Sequence, residues 1–480
     1  MTVHEPKSSR FKTNAREALA KPRIQEAMTA AQSGFIEKRA KARAGMPEFD
    51  DLRDAARDLK NHVLENLPGY LEAYEEKVIA SGGHVHWAET AEDARRIVLE
   101  ICQKAGAKTV NKGKSMISEE CAINDHLAEH GIHPQETDLG EYIIQLRGET
   151  PSHIIAPAVH VTTTEVEDLF RQTHTHLPPE RSLSELPSML LEARTVLREK
   201  YFVADVGITG ANMLIAETGH SIIVTNEGNG DLSQSLPRVH IVMASIEKIV
   251  PNLEDASTIL RVLARSATGQ ESSVYTTFSS GGRREGDPDG PEEYHVVLLD
   301  NGRSGMLGTE FQDMLRCIRC GACMNHCPVY QSVGGHAYGW VYPGPMGSVL
   351  TPSLIGVEEG GQLPNASTFC GRCEAVCPMR IPLPKMMRHW REREFEKGLT
   401  PSVARYGLSA WRWLARRPMT YAVATWFTTL GLRLWALGSR RIARLPLASG
   451  WTDHRDYPTP EGGTFQAQWT GPRTAPGSRS

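Results

Sequence analysis

The chain has 480 residues, of which 40% are hydrophobic and 23% are charged, and its formal net charge is −4. This length is enough for two or three domains with cores of their own. A slightly acidic chain is not typical of nucleic-acid-binding proteins, which usually carry a basic surface. The first twelve residues are not followed by an apolar segment of the signal-peptide type, so we expect a reducing, cytoplasmic compartment.

Residues 1–65 are rich in alanine and in charged side chains, and their apolar positions recur at helical spacing. This pattern predicts amphipathic helices with one solvated face. We expect an N-terminal helical region, 1–65, that packs on the outside of the domain that follows.

Residues 66–304 alternate between helical and strand-like segments. The predicted helices are 71–80 and 91–103, and the predicted strands are 84–88, 109–112, 142–146, 153–156, 202–206, 221–225, 239–244 and 294–299. Alternation of this kind predicts α/β layers around a largely parallel sheet.

Five polar segments lie near the ends of these strands, where α/β proteins commonly bind ligands. They are 112–115 (KGKS), 136–141 (ETDLGE), 207–212 (GITGAN), 216–219 (AETG) and 225–231 (TNEGNGD). Each could equally be a turn, because Gly, Asn, Asp and Ser are the usual turn residues. The run from Gly228 approaches a dinucleotide-binding pattern, but Ser233 replaces its third glycine and Pro237 would interrupt the helix that must follow. We therefore do not expect NAD or flavin there.

Seven of the nine cysteines lie between Cys317 and Cys377. The first run, 317–328 (CIRCGACMNHCP), has the pattern C-x2-C-x2-C-x3-C-P. The second run, 370–378 (CGRCEAVCP), lacks the first cysteine of that pattern, and Ser367 occupies its position. In two-cluster ferredoxins the cysteine before the proline ligates the other cluster. The spacing therefore predicts one complete [4Fe–4S] cluster, held by Cys317, Cys320, Cys323 and Cys377. It predicts a second cluster with three cysteine ligands, held by Cys327, Cys370 and Cys373.

Structural zinc is an alternative, since it also uses C-x2-C pairs, but it makes no use of a fourth cysteine followed by proline. Disulfides fit so crowded a set of cysteines poorly. The fourth corner of the second cluster has three candidate occupants: Ser367, an oxygen of water or substrate, or another cysteine. The two remaining cysteines, Cys102 and Cys121, fall in predicted helices and rank last.

The spacer 328–369 between the cysteine runs contains many Gly and Pro residues and is similar in length to those of the α-helical ferredoxin modules of respiratory enzymes. Its aromatic side chains could shield the clusters and tune their potential, or they could be ordinary core residues. These are Tyr330, Tyr338, Trp340 and Tyr342.

A predicted helix at 385–392 precedes a C-terminal region, 397–480, in which tryptophans and arginines recur at helical spacing. This composition indicates a helix that docks on a partner or a membrane surface, or one that packs on its own protein. The apolar stretch 421–432 is too short to cross a bilayer, which takes about 20 residues. Residues 453–480 are rich in Pro, Gly, Ser and Thr, which predicts disorder.

Four stretches of the α/β region resemble the LUD domain of lactate utilisation proteins. They are 114–120 (KSMISEE), 136–142 (ETDLGEY), 151–155 (PSHII) running on to His160, and 216–219 together with 225–229 (TNEGN). Followed by the two cysteine runs, they make residues 60–400 similar to the lactate utilisation protein B family. The resemblance implies an α/β LUD domain at 66–304, similar in fold to ribose-5-phosphate isomerase and CoA-transferase-like proteins. An α-helical ferredoxin-type two-cluster domain at 305–396 and a helical C-terminal tail would follow.

The resemblance also implies a function. The family acts with an A protein rich in cysteine and a C protein with another LUD domain, and together they oxidise L-lactate. We therefore expect an iron–sulfur electron-transfer component that passes electrons to an unidentified acceptor, has no nucleic-acid partner, and contacts the inner membrane face at most peripherally. Two alternatives remain: an enzyme whose LUD domain binds a small carboxylate, and an iron–sulfur redox sensor. No catalytic residue can be named from the sequence.

Overall fold

Two units make up the chain, Met1–Glu394 and Phe395–Ser480, in a computed structural model that describes residues 6–445, 449–453 and 455–469. The first unit begins with three helices, continues with an α/β region and ends with a module of short helices. The N-terminal helices are α1 (Phe11–Leu19), α2 (Pro22–Ala44) and α3 (Phe49–Glu65).

The α/β region alternates helices and strands from residue 67 to residue 299. Its helices are α4 (Leu67–Ala80), α5 (Ala91–Lys104), α6 (Met116–Glu120), α7 (Ile123–Glu129), α8 (Leu139–Arg147), α9 (Thr163–Thr173), α10 (Leu186–Val203), α11 (Asn229–Ser235) and α12 (Leu253–Ala267). Its strands are β1 (His84–Ala88), β2 (Thr109–Gly113), β3 (His133–Glu136), β4 (Val206–Gly210), β5 (Met213–Ile215), β6 (His220–Thr225), β7 (Val239–Ser245), β8 (Ile249–Val250), β9 (Tyr275–Ser279) and β10 (Glu293–Leu299).

Six of these strands form one sheet in the order β1-β10-β7-β4-β2-β3, and every pairing in it is parallel. Alternate residues of β10 enter different cores. Val297 and Leu299 pack with α5 and α7, and Val296 and Leu298 pack with α4. Because helices cover both faces, the central strands can be apolar throughout. The predicted parallel sheet is therefore confirmed, and it places the carboxyl ends of β2, β3 and β4 at one edge.

A second sheet, in the order β8-β5-β6-β9, is mixed rather than parallel. Strand β6 is antiparallel to both β5 and β9, whereas β8 is parallel to β5. Short strands joined by a tight turn pair in this way, and Gly219 provides that turn at φ 72°.

Three predicted strands differ from the structure. Residues 142–146 lie in α8, which Asp138 caps by accepting a hydrogen bond from the Gly140 backbone and which ends at Gly148 with φ 64°. Residues 153–156 form a bend between two prolines, because His153 Nδ1 accepts hydrogen bonds from the backbone N–H groups of Ile155 and Ala156. The predicted strand 202–206 begins too early, since α10 continues to Val203 and β4 begins only at Val206. A short apolar run fits the side-chain period of a helix as well as that of a strand, so capping residues are needed to distinguish the two.

The module after β10, here called the cysteine module (residues 304–394), consists of short helices joined by turns. Its α-helices are α13 (Ala322–Asn325), α14 (Pro328–Val333), α15 (Gly344–Ile355), α16 (Val357–Gly360), α17 (Arg372–Val376) and α18 (Leu383–Glu396), the last of which ends in the second unit. Four 3₁₀ segments connect them, at Ser304–Met306, Gln312–Arg316, His336–Tyr338 and Pro364–Ala366.

The N-terminal helices share one apolar core with the cysteine module. The rings of Phe11 and Tyr338 meet edge to face with centroids 5.2 Å apart, and the guanidinium of Arg53 donates to the Cys377 carbonyl at 2.7 Å. Helices α2 and α3 also contact α12 of the α/β region. The prediction that residues 1–65 pack on the next domain was therefore incomplete. An apolar stripe shows that a helix face is covered, but not which element covers it.

The second unit contains four helices and a two-stranded antiparallel ribbon among its described residues. They are α19 (Ser402–Ala415), α20 (Pro418–Trp435), β11 (Arg441–Ile442), α21 (Ser449–Thr452), β12 (Tyr457–Pro458) and α22 (Phe465–Gln468). No residue of α19 or α20 is buried. Of the predicted disordered end, residues 455–469 contain β12 and α22, while 454 and 470–480 lie outside the described residues. None of the described helices is both long enough and apolar enough to cross a bilayer.

Candidate metal centre and its surroundings

The four cysteines predicted to hold the first cluster line one cavity. Cys317, Cys320 and Cys323 reach it from the turn that precedes and includes α13, and Cys377 reaches it from the end of α17. The turn depends on Gly321, whose φ of 72° is easily adopted only without a Cβ. The cavity encloses about 370 Å³ of empty space, part of it open to solvent.

The three cysteines predicted to hold the second cluster line a neighbouring cavity together with Ser367. Cys373 is buried in α17 and Cys327 is half-buried at the start of α14, but Cys370 is exposed. The part of the second cavity's lining that Cys370 provides therefore lies at the surface.

The thiols of Cys320 and Cys377 in the first cavity are poorly placed to ionise without a metal. Burial, followed by the nearby Cys377, raises the pKa of Cys320 to about 12. Burial also raises the pKa of Cys377 to about 11. A bound metal ion keeps such thiols deprotonated, because the thiolate is the ligand. Four closely grouped sulfur donors, three of them buried, therefore fit iron–sulfur chemistry.

Basic side chains surround the first cavity. Arg319 lines it, and the Nη1 atom of this buried guanidinium has no hydrogen-bond partner among the described residues. Lys248 is also buried nearby, and burial followed by Arg319 lowers its pKa to about 8. An unsatisfied buried donor and a second cation beside four sulfurs fit an anionic cluster with its thiolate ligands.

The hydroxyl of Ser367 already has a local partner. Its Oγ accepts a hydrogen bond from the Phe369 backbone at 3.1 Å. Arg391 holds the same loop by donating to the carbonyl oxygens of Pro364 and Ser367, at 2.8 and 3.0 Å, and by lying 4.1 Å from the centre of the Phe369 ring. Ser367 thus faces the second cavity from a fixed loop.

Polar segments from three of the predicted strand ends meet at one edge of the six-stranded sheet. Lys114 forms ion pairs with Asp138 and, at 3.1 Å, with Glu227. Asn229 donates to the Thr137 carbonyl at 3.3 Å. Segment 207–212 borders this group, since a Cβ on Gly210 would lie 2.5 Å from the Lys114 carbonyl oxygen. Segment 216–219 does not belong to it, because it packs against α4 instead.

Buried carboxylates outnumber lysines at this edge. Lys112 lies 2.5 Å from Glu119 and 2.6 Å from Glu136, and all three are buried. Burial, followed by Glu136, raises the pKa of Glu141 well above its ordinary value. The charges largely satisfy one another, and the excess is negative.

Comparison with known proteins gives two family matches. A LUD domain model matches residues 71–299, and a 4Fe-4S dicluster domain model matches residues 313–381. Two proteins named lactate utilization protein B, from Bacillus velezensis and Bacillus subtilis, are 39% and 38% identical, and each alignment covers 95% of this chain and 95% of the relative. The chain belongs to the lactate utilisation protein B family.

Another relative of this chain has a different name. The "Uncharacterized electron transport protein YkgF" of Escherichia coli is 38% identical over 95% of both chains. A solved duf162 family protein from Deinococcus radiodurans covers 48% of this chain with a TM-score of 0.28 and 14% identity, which is too weak a likeness to support an argument. The detailed likeness to ribose-5-phosphate isomerase and CoA-transferases therefore stays a prediction.

The LUD domain and the cysteine module meet around a buried arginine. Arg303 donates to both carboxylate oxygens of Glu120, at 2.9 and 2.6 Å, and its Nε lies 3.2 Å from Glu247. The hydroxyl of Tyr342 donates to the same Glu120 at 2.5 Å. Arg319 completes the group, 3.4 Å from Glu247. Sequence analysis missed this network, because its members are far apart along the chain.

The aromatic side chains of the spacer are all buried, and three have specific polar partners. Tyr338 hydrogen-bonds to Cys327, Tyr330 donates to the Ser152 carbonyl at 2.7 Å, and Tyr342 donates to Glu120. They are therefore core residues that also connect a predicted ligand and the LUD domain to the module. Cys102 is buried in a core of the LUD domain, as is Cys121, and neither lines a cysteine cavity.

Proposed function

We propose that this protein is the iron–sulfur electron-transfer component of an L-lactate-oxidising system. The observation that carries the proposal is the pair of neighbouring cavities, each lined by one predicted ligand set. We assign Cys317, Cys320, Cys323 and Cys377 to one [4Fe–4S] cluster, and Cys327, Cys370 and Cys373 to a second. Bound clusters would accept and release single electrons. The names of the relatives support the connection with lactate.

The protein's own residues would set the path of electrons. The positive charges of Arg319 and Lys248 would favour the reduced, more negative state of a cluster bound in the first cavity. Because Cys370 is exposed, a cluster that it holds would have one edge near the surface, where another protein can approach. We therefore propose that electrons leave or enter through the second centre.

The main rival is an enzyme that binds lactate in the LUD domain. The polar edge of the sheet would be its expected site. There Glu119, Glu136 and Asp138 are already paired with Lys112 and Lys114, and burial raises the pKa of Glu141. The carboxylate of a bound lactate would therefore meet an excess of buried negative charge. This arrangement favours electron transfer over lactate binding at that edge.

The test uses the full chain purified without oxygen. We expect it to take up electrons from a chemical reductant and to pass them to an artificial acceptor, but not to oxidise L-lactate alone. Addition of the A and C proteins should allow lactate to reduce its clusters. Lactate oxidation by the isolated chain would support the enzyme instead. Binding to DNA that changes with cluster oxidation would support the sensor.

The second centre makes a sharper test of the ligand assignment. With three thiolates and a serine hydroxyl, this cluster should lose one iron on mild oxidation and give a [3Fe–4S] signal in EPR spectra. The reason is that a serine oxygen is a weaker iron ligand than a thiolate at neutral pH. Ser367→Cys should suppress that signal. The matched control Thr368→Cys also lines the cavity, but at a position that the ligand pattern does not predict. Two equally resistant clusters in the wild type, unchanged by Ser367→Ala, would contradict the assignment.

We also propose that α19 and α20 hold the protein at an anionic membrane surface. Residues 397–452 contain nine basic and no acidic side chains, and Trp411, Trp413 and Trp426 are each more than half exposed. Arginine and exposed tryptophan are typical of helices that lie in a membrane interface. Deletion after Glu396 should abolish sedimentation with phosphatidylglycerol vesicles but leave the iron content unchanged. Equal sedimentation with uncharged vesicles would contradict the proposal.

A further inference from the structure

A second group of metal-binding side chains lies outside both cysteine cavities. Glu149 and His160 belong to the loop between α8 and α9, and His336 belongs to the cysteine module. One ligand atom from each of the three lies within 4.8 Å of the other two. The rings of His160 and His336 meet edge to face, with centroids 4.4 Å apart. The group therefore links the LUD domain to the cysteine module.

The loop that carries Glu149 and His160 is firmly attached to the cysteine module. Tyr330 donates to the Ser152 carbonyl at 2.7 Å, and His153 is hydrogen-bonded to Asn325 at 3.0 Å. The two backbones approach so closely that a Cβ on Gly335 would lie 1.7 Å from the Ser152 carbonyl oxygen. The three side chains are thus held together by contacts other than their own.

Hydrogen bonds determine which nitrogen of His160 carries a proton. The Ser152 hydroxyl lies 3.0 Å from the Pro157 carbonyl, which can only accept, so the single hydroxyl proton is used there. Ser152 Oγ must then accept from His160 Nδ1, 2.7 Å away. Nε2 of neutral His160 is therefore left with a lone pair, 2.9 Å from Glu149 Oε2. Two acceptors at this distance need a cation between them, either a proton or a metal ion.

His336 is oriented in a similar way. Its Nε2 lies 2.6 Å from the Thr150 carbonyl oxygen, which can only accept, so Nε2 carries the proton. The lone pair of neutral His336 is then on Nδ1. A histidine whose other ring nitrogen donates to a backbone carbonyl is the usual arrangement in metal sites, because that bond fixes the tautomer and the ring.

We propose that Glu149, His160 and His336 bind a divalent transition-metal ion, with zinc the best match. Two imidazoles and one carboxylate, with a water as fourth ligand, form a common zinc set. Arg147 contacts the other carboxylate oxygen of Glu149 at 2.9 Å, which leaves one oxygen for the metal. The ion would join the LUD domain to the cysteine module, beside the spacer that leads to the second cysteine run.

The test measures zinc in the full chain with its iron–sulfur clusters in place. After chelator treatment that leaves iron and sulfide unchanged, the protein is dialysed against zinc and analysed for metals. We expect about one zinc per chain, and a zinc X-ray absorption spectrum with nitrogen or oxygen at about 2.0–2.1 Å and no sulfur at about 2.3 Å. His336→Asn and His160→Asn should each weaken zinc binding at least about 10-fold.

The control is His86→Asn, which removes another paired histidine of the LUD domain, hydrogen-bonded to His295 at 3.0 Å. It should bind zinc as the wild type does. A sulfur shell around zinc would assign the ion to cysteines and overturn the proposal. Equal zinc affinity in the wild type and in His336→Asn would also overturn it. The absence of zinc from the wild type would do the same, and a proton would then lie between His160 Nε2 and Glu149 Oε2. The wild-type spectrum remains decisive if a variant does not fold.

Discussion

The buried ion pairs of Arg303, at the place where the LUD domain meets the cysteine module, predict a large effect of Arg303→Met. The side chains of Arg303 and Glu120 are both fully buried, and Glu247 is nearly so. Removal of the arginine leaves two carboxylates without their main cation, and breaking a buried pair in this way costs about 3–5 kcal/mol. The first unit spans 394 residues, so its unfolding entropy is about 0.8 kcal/mol per kelvin. We expect the melting temperature to fall by about 5 °C.

The measurement is a thermal melt of the cluster-loaded protein, followed by circular dichroism at one heating rate. The matched control is Arg238→Met, because Arg238 is about half exposed and lies 3.5 Å from Glu293. Exposed pairs contribute about 0–1 kcal/mol, so this control should shift the melt by about 1 °C or less. Addition of Glu120→Gln to Arg303→Met should recover part of the loss, since it removes one uncompensated charge. Equal shifts in Arg303→Met and Arg238→Met would refute the reasoning.

Three further predictions concern acid stability, the domain contact and the first centre. Burial, followed by His295, lowers the pKa of His240 to about 3. Only the unfolded chain takes up a proton there below pH 6.5, so about 2 kcal/mol of stability should be lost between pH 7 and pH 5, and His240→Gln should reduce the acid shift in melting temperature. Gly335→Ala, which collides with the Ser152 carbonyl, should cost about 1–3 kcal/mol in a melt, whereas Gly305→Ala, with open space around it, should cost below about 0.5 kcal/mol. Arg319→Gln should lower the potential of the first centre, by about 59 mV if about 1.4 kcal/mol of attraction is lost; an unchanged potential in an EPR-monitored redox titration would contradict it.

Local patterns predicted much of the fold. The strand 84–88 has the predicted bounds, and 294–299 is one residue short of β10. The two cysteine runs predicted which cysteines share a cavity, because a fixed spacing on a tight turn determines which sulfurs point together. Helix α8 was missed because the mostly apolar run 142–146 fits the periodicity of a strand as well as that of a helix. The cap at Asp138 was the signal that could have identified it.

Contacts between distant segments could not be predicted in the same way. Arg303 and Glu120 are 183 residues apart along the chain, and no spacing rule connects them. His160 stood at the end of a recognised LUD motif, but His336 lies in a glycine-rich spacer where nothing marks a ligand. Polar segment 216–219 was grouped with the strand-end site by composition, yet it packs on α4. Composition indicates polar character, and only the fold decides which polar segments meet.

The shared core of the N-terminal helices and the cysteine module has a consequence for synthesis. Residues around Phe11, Met28 and Phe49 pack with residues of the cysteine module, some 300 positions further along the chain. At about 5–20 residues per second, a ribosome needs about 15–60 s to make that distance. During this time the apolar faces of α1–α3 lack part of their native partner. We therefore expect nascent chains that stop before Cys317 to aggregate or to bind chaperones, and iron supply to influence how fast the first residues made reach their final positions.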